Sequence, residues 1–153
     1  GLSAPVGSVL TGSRSFIQRA RMVRRALGGT LRQAGVIAAP GLVALRTMIP
    51  RLEEDHLNAR GFAEAVASMD GLSIDLTSVQ SNIVNLDVEN LGIDAATFAH
   101  HLDQRGIRGL PGLGTVVRFV TYRGITAEDI DRAVAEIRQM VTRAPWAEAT
   151  ATA

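Results

Sequence analysis

Residues 24–35, RRALGGTLRQAG, set Arg24, Arg25 and Arg32 around the Gly28-Gly29 pair, with no acid nearby to neutralise them. Guanidinium groups grip compact anions in bidentate fashion, and glycines let backbone N–H groups come close, so the pattern suits a phosphate or a carboxylate. The imbalance extends beyond the motif. Residues 1–52 carry eight arginines and no Asp or Glu, whereas residues 53–153 carry eight arginines against fifteen acids. A row of arginines is ordinarily a solvated helix face, but such faces usually intersperse both signs. Nucleic acid is a poorer match than a small anion, because aromatics are scarce, lysine is absent and the remainder of the chain is acidic.

A further cation stands inside VVRFVTY, residues 116–122. Strand alternation puts Val116, Arg118, Val120 and Tyr122 on one face. An arginine among apolar neighbours needs an anion, since an unpaired buried charge is strongly unfavourable. Two partners stay open: Asp87 or Glu89 on a neighbouring strand, or the carboxylate of a substrate. The histidines offer less. His56 lies in the charged stretch RLEEDHLNAR and reads as a surface residue, while His100 and His101 are adjacent and on a helix point in different directions. With no cysteine there is neither disulfide nor thiolate metal site, three histidines fall short of a ligand set, and Ser3 and Ser8 have no base near them in sequence. All sixteen basic residues are arginine, so no amine for Schiff-base chemistry lies within these residues.

Positioning these groups requires an ordered scaffold, and 153 residues with 46% apolar content suffice for one cored domain or parts of two. Residues 5–11 read as a short strand, and Ser13 as the cap of an amphipathic helix over 14–27 ended by Gly28-Gly29. In that helix Phe16, Ala20, Val23 and Leu27 share a face opposite Arg14, Gln18, Arg21 and Arg25. A second helix, 31–48, is apolar nearly all round and should kink at Pro40. Beyond Pro50 the composition becomes that of a solvated domain. A helix stopped at Gly71 precedes the strands LSIDL and NIVNLDVE; a helix capped by Asp94, the strand VVRFVTY and a last helix opened by a Thr126–Asp129 capping box follow. Helices around a small, mostly antiparallel sheet make this half α+β. Residues 147–153 read as a frayed tail. The longest apolar run, residues 34–45, is too short for a membrane span, and no secretory leader pattern opens the chain. The chain therefore reads as soluble and cytoplasmic, with neither membrane nor nucleic acid as partner.

In order and spacing, GLSAPVGSVLTGS, RRALGGTLRQAG, RLEEDHLNA and VVRFVTY resemble the carboxy-terminal half of the low-specificity L-threonine aldolases, pyridoxal 5'-phosphate enzymes of the aspartate-aminotransferase fold type. The resemblance runs over nearly the whole chain. It implies an α/β and α+β arrangement, in which residues 1–46 end the large cofactor-binding domain and supply a connecting helix, residues 47–146 form the small domain, and 147–153 are tail. It places the Schiff-base lysine immediately before Gly1, so that no catalytic residue falls in this chain. The amino-terminal half of the same polypeptide would supply the rest of the cofactor site.

By the same resemblance Arg32 reaches the cofactor phosphate in a neighbouring subunit, Arg25 stands at the site entrance where lysine is usual, and Arg118 binds the substrate α-carboxylate. The implied activity is cleavage of L-threonine, L-allo-threonine or a related β-hydroxy-α-amino acid to glycine and an aldehyde by a homo-oligomer, expected to be a tetramer. Another lyase or aminotransferase of this fold type, or an Arg-rich binding module without catalytic activity, are the alternatives. The chain departs from the family pattern at Tyr122, where R-x-V-T-H ends in histidine, and at Pro40, where alanine is usual. Tyr122 lies four residues from Arg118, roughly 13 Å along an extended strand.

Overall fold

The computed structural model describes residues 1–5 and 8–146, and the tail assigned to 147–153 lies outside them. Contacts divide the chain into two compact units: Leu2–Arg51, and Leu52–Ala153 with Gly1.

The first unit holds two helices, α1 (Arg14–Ala26) and α2 (Gly35–Thr47). Ser13 caps α1 by accepting a hydrogen bond from the Phe16 N–H, as its position suggests. The other end closes where Gly28 takes φ +72°, with the Gly28 N–H bonded to Arg25 O and the Gly29 N–H to Arg24 O. That paired 5→2 and 6→1 bonding requires a left-handed residue after the helix, which glycine supplies without strain. α2 begins at Gly35 rather than near residue 31, because Arg32–Ala34 form a turn in which Gln33 has φ +53°. The helix continues through Pro40. The proline leaves the Val36 carbonyl without its helical donor, and Val36 is exposed, so water can take that place. No strand forms among the described residues of 5–11, where residues 8–11 have no regular structure and Val6 and Gly7 are outside the description.

The second unit is α+β. Its elements are α3 (Leu52–Ala67), β1 (Ile83–Asp87), α4 (Ala95–Asp103), β2 (Leu110–Pro111), β3 (Val116–Val120) and α5 (Ala127–Arg143). β3 is the central strand of an antiparallel sheet ordered β1-β3-β2. LSIDL contributes one bridge, Ser73 to Asp87, and then a 3-10 turn over Leu76–Ser78. Asp75 diverts it from strand geometry by accepting a hydrogen bond from the Thr77 N–H at 2.9 Å, a local turn that competes with pairing. Asp94 caps α4 through the Thr97 N–H at 2.7 Å. The capping box of α5 is complete, with the Asp129 N–H donating to Thr126 Oγ1 and the Thr126 N–H to Asp129 Oδ2.

Alternation along the strands separates two unlike faces. Val84 and Leu86 of β1 and Val117 and Phe119 of β3 are buried in one core with Phe62 and Val66 of α3, Phe98 and Leu102 of α4, and Ile137 and Met140 of α5. The Phe62 and Phe119 rings lie 5.0 Å apart, within the range of a favourable aromatic pair. The opposite face carries Ile83, Asn85, Leu110, Arg118 and Val120, all exposed within this unit. The helices thus cover one side of the sheet and leave the other open.

Candidate functional site

Arg118 occupies the middle of the open face. In the ladder it pairs with Asn85 of β1 on one side and Leu110 of β2 on the other, so the three side chains form a row across the sheet. Its Nε donates to Asn85 Oδ1 at 3.3 Å. Of the two partners the sequence leaves open, an acid at Asp87 or Glu89 does not pair with Arg118. Asp87 pairs with Val116, two residues along the ladder, and its Oδ1 accepts from the Glu89 N–H at 2.9 Å at the start of the 3-10 turn Glu89–Leu91. That local bond commits the acid to its own backbone. Among the described residues Arg118 has no carboxylate partner, and it is not a buried charge, because the inward face is the one bearing Val117 and Phe119. The centre of the face is thus a solvent-accessible guanidinium with terminal N–H donors uncommitted, flanked by apolar Leu110, Val120 and Ile83. Such a group is suited to a carboxylate.

Two side chains fix the backbone just beyond Arg118. Thr121 is buried, and its Oγ1 donates to the Asp55 carbonyl of α3 at 2.6 Å; Asn58 Nδ2 of α3 donates to the Ile125 carbonyl at 2.9 Å. Asn82 Nδ2 adds a bond to the Thr121 carbonyl at 2.7 Å, and the Thr121 N–H returns one to Asn82 O. The end of β3 is therefore tied to both the helical layer and the neighbouring strand. Tyr122, past the end of the strand, is exposed.

In the first unit Arg25 stands in the last turn of α1, and Arg32 in the turn that leads to α2; both are exposed. Neither side chain has a hydrogen-bond or ion-pair partner among the described residues, and residues 1–52 contain no acid. Each is an exposed guanidinium whose donors are uncommitted, a group suited to a phosphate. Arg25 and Arg32 thus share one unit, while Arg118 belongs to the other.

No hydrogen bond links a histidine to Arg25, Arg32 or Arg118 among the described residues. His56 is exposed on α3; His100 Nε2 lies 3.0 Å from Gln104 Nε2 on α4, and the His101 ring lies 5.9 Å from that of Trp146 at a tilt of 56°. No cluster of metal-ligating side chains occurs among the described residues, and no single helix there is long and apolar enough to cross a membrane. Sequence reasoning missed Asn85. The signal was present in the facing alternations of NIVNLDV and VVRFV, which place an amide opposite the arginine once the antiparallel register is set.

A sequence profile of the beta-eliminating lyase family matches residues 1–89. Low-specificity L-threonine aldolase 1 of Arabidopsis thaliana is 39% identical over 131 residues, which is 85% of this chain and 37% of the relative. The low specificity L-threonine aldolase of Escherichia coli K12 is 34% identical over 143 residues, 94% of this chain and 41% of the relative. Aldolase vrtJ of Penicillium aethiopicum is 39% identical over 94 residues, 60% of this chain and 24% of the relative. The chain thus spans about two fifths of the length of the plant and bacterial relatives.

Proposed function

The chain belongs to the beta-eliminating lyase family, and on that footing we propose that the full-length polypeptide is a pyridoxal 5'-phosphate-dependent aldolase that cleaves L-threonine, L-allo-threonine or a related β-hydroxy-α-amino acid to glycine and an aldehyde. The observation that carries the reading is Arg118, a guanidinium with no carboxylate partner among the described residues, at the centre of an open sheet face. Similarity to proteins named threonine aldolase over 85% and 94% of the chain supports it.

Arg118 binds the α-carboxylate and so sets the orientation of the Cα substituents. Orientation is the protein's main contribution, because which bond at Cα breaks depends on how that carbon is held. Arg32 would reach the cofactor phosphate in a neighbouring subunit's site, and Arg25 would stand at the entrance of that same site. Bound pyridoxal phosphate supplies the electron sink for the pair released as Cα–Cβ breaks. In the balance of the reaction the β-hydroxyl loses its proton, the carbonyl of the aldehyde forms, and Cα gains a proton to become glycine.

In this reading residues 1–46 complete a large cofactor domain and 47–146 form the small domain; the contact boundary falls between Arg51 and Leu52. The rest of the polypeptide and further subunits of a homotetramer cover the apolar side chains that α1 and α2 expose. Product analysis of the full-length polypeptide with L-threonine is the test. Equimolar glycine and acetaldehyde are expected. Formation of a keto acid only when an amino acceptor is present would assign an aminotransferase instead, and no turnover of any β-hydroxy-α-amino acid would reject the aldolase.

A further inference from the structure

We infer that Asn85 is the positioning residue for Arg118, holding the guanidinium by its Nε edge so that the end bearing both Nη groups meets the carboxylate. The inference rests on the proposed role of Arg118. An arginine can offer a carboxylate either its Nε–Nη side or its Nη–Nη end. Asn85 Oδ1 accepts from Nε at 3.3 Å, which engages the side and leaves the end. The contact is built into the sheet, because Asn85 and Arg118 are directly paired across β1 and β3. On the other flank Leu110 offers no acceptor, so the guanidinium is held from one side alone.

The neutrality of this neighbour is the second half of the inference. An aspartate at 85 would pair with the guanidinium and compete with the incoming carboxylate. The acid nearest along β1, Asp87, is opposite Val116 and is engaged by the Glu89 N–H. The open face thus gives Arg118 a fixed direction without cancelling its charge. A long side chain otherwise free to rotate would lose more entropy on binding, and pre-organisation reduces that loss.

The test uses the full-length holoenzyme with Asn85→Leu and Asn85→Asp, each also combined with Arg118→Lys, and Arg118→Ala as reference. Glycine affinity is read by calorimetric titration, threonine turnover as separate kcat and KM, and folding as the thermal midpoint. Asn85→Leu should weaken glycine binding and raise the KM for threonine by about three- to tenfold, the scale of one modest hydrogen bond, with the thermal midpoint unchanged. Asn85→Asp should weaken both more, although it retains an acceptor. In the Arg118→Lys background, where no Nε–H exists to be held, Asn85→Leu should add nothing. Unchanged glycine affinity in Asn85→Leu, alongside a large loss in Arg118→Ala, overturns the role of Asn85 and leaves that of Arg118 standing. An equal effect in the arginine and lysine backgrounds also overturns it, since it marks a general effect on the sheet. Unchanged affinity in Arg118→Ala removes the carboxylate assignment itself.

Discussion

Replacing Arg118 with alanine in the full-length polypeptide should end useful turnover while leaving the fold and the bound cofactor in place. The stability side follows from its surroundings. Arg118 is exposed within its unit, makes no ion pair among the described residues, and surrenders one 3.3 Å hydrogen bond to an exposed amide. Surface substitutions of that kind stay within about 0.5 kcal/mol. The ligand side is different, because a carboxylate gripped by two N–H donors loses both together. At about 1.5–3 kcal/mol for each hydrogen bond to a charged group, and with neighbouring contacts less than additive, the loss is about 3–5 kcal/mol. That corresponds to about a hundredfold to several thousandfold in affinity. Glycine titration measures it directly, kcat/KM for threonine measures the same loss in turnover, and cofactor absorbance together with the thermal midpoint checks that the site is otherwise intact. Glycine affinity within about twofold of the unsubstituted protein, in a folded and cofactor-loaded variant, would refute the reasoning.

Arg32→Ala should weaken cofactor retention by about tenfold to a hundredfold, the scale of a charge-assisted phosphate contact. Mixed with a variant lacking the cofactor lysine, it should recover activity in hybrid oligomers; verified hybrids that recover none would confine Arg32 to its own subunit or to no site. Thr121→Val keeps the shape of a buried side chain but removes its 2.6 Å bond to the Asp55 carbonyl, and should cost about 0.5–1.5 kcal/mol in urea unfolding; an unchanged midpoint would show that this tie between β3 and α3 contributes nothing net. Bonds from the Thr97 backbone hold Asp94 below the ordinary aspartate value, and bonds from Thr126 do the same for Asp129. Because both values are lowered in the fold, their contribution is present above the unfolded value and is lost as pH falls through the folded one. The double variant Asp94→Asn, Asp129→Asn should therefore show a flatter loss of stability in acid, and an equal slope would contradict the assignment.

The starts of α4 and α5 were legible because they are written in local chemistry: Asp94 three residues before Thr97, and Thr126 three before Asp129, each satisfy helix donors without help from distant residues, whereas α3 ends at Ala67 and not at Gly71, with a turn over residues 68–71 in between. β2 was not, since two residues, one of them proline, carry no periodicity and exist as a strand only because β3 pairs with them. The environment of Arg118 was half legible. Its alternation with Val117 and Phe119 was plain, but assigning it to the apolar side required knowing which face the helices cover. Phe119 decides that point by packing on Phe62, a contact across more than fifty residues of sequence. Its neighbours Asp87 and Asn85 were likewise indistinguishable until the register put the amide opposite and the turn at Glu89 took the acid.

The first unit poses the complementary problem. Its helix signals are strong, with a serine cap, two closing glycines and an arginine face, yet α1 buries no residue and α2 buries only Ala44. Scattered exposed apolar side chains are normal on a protein surface, but Phe16, Val23 and Leu27 on α1 follow one helical stripe, and Leu42, Val43 and Leu45 crowd one stretch of α2. A stripe is a pattern for burial, and burial at about 25 cal/mol per Å² of apolar area is what makes an amphipathic helix persist. The cover must also tolerate the arginines, for which residues 1–52 provide no acid. An apolar contact beside an anion meets both needs, and in the proposed aldolase the remaining polypeptide and the neighbouring subunit supply the first while the cofactor phosphate supplies the second. One arrangement would thus answer both the exposed stripe of α1 and the anion that Arg25 and Arg32 call for.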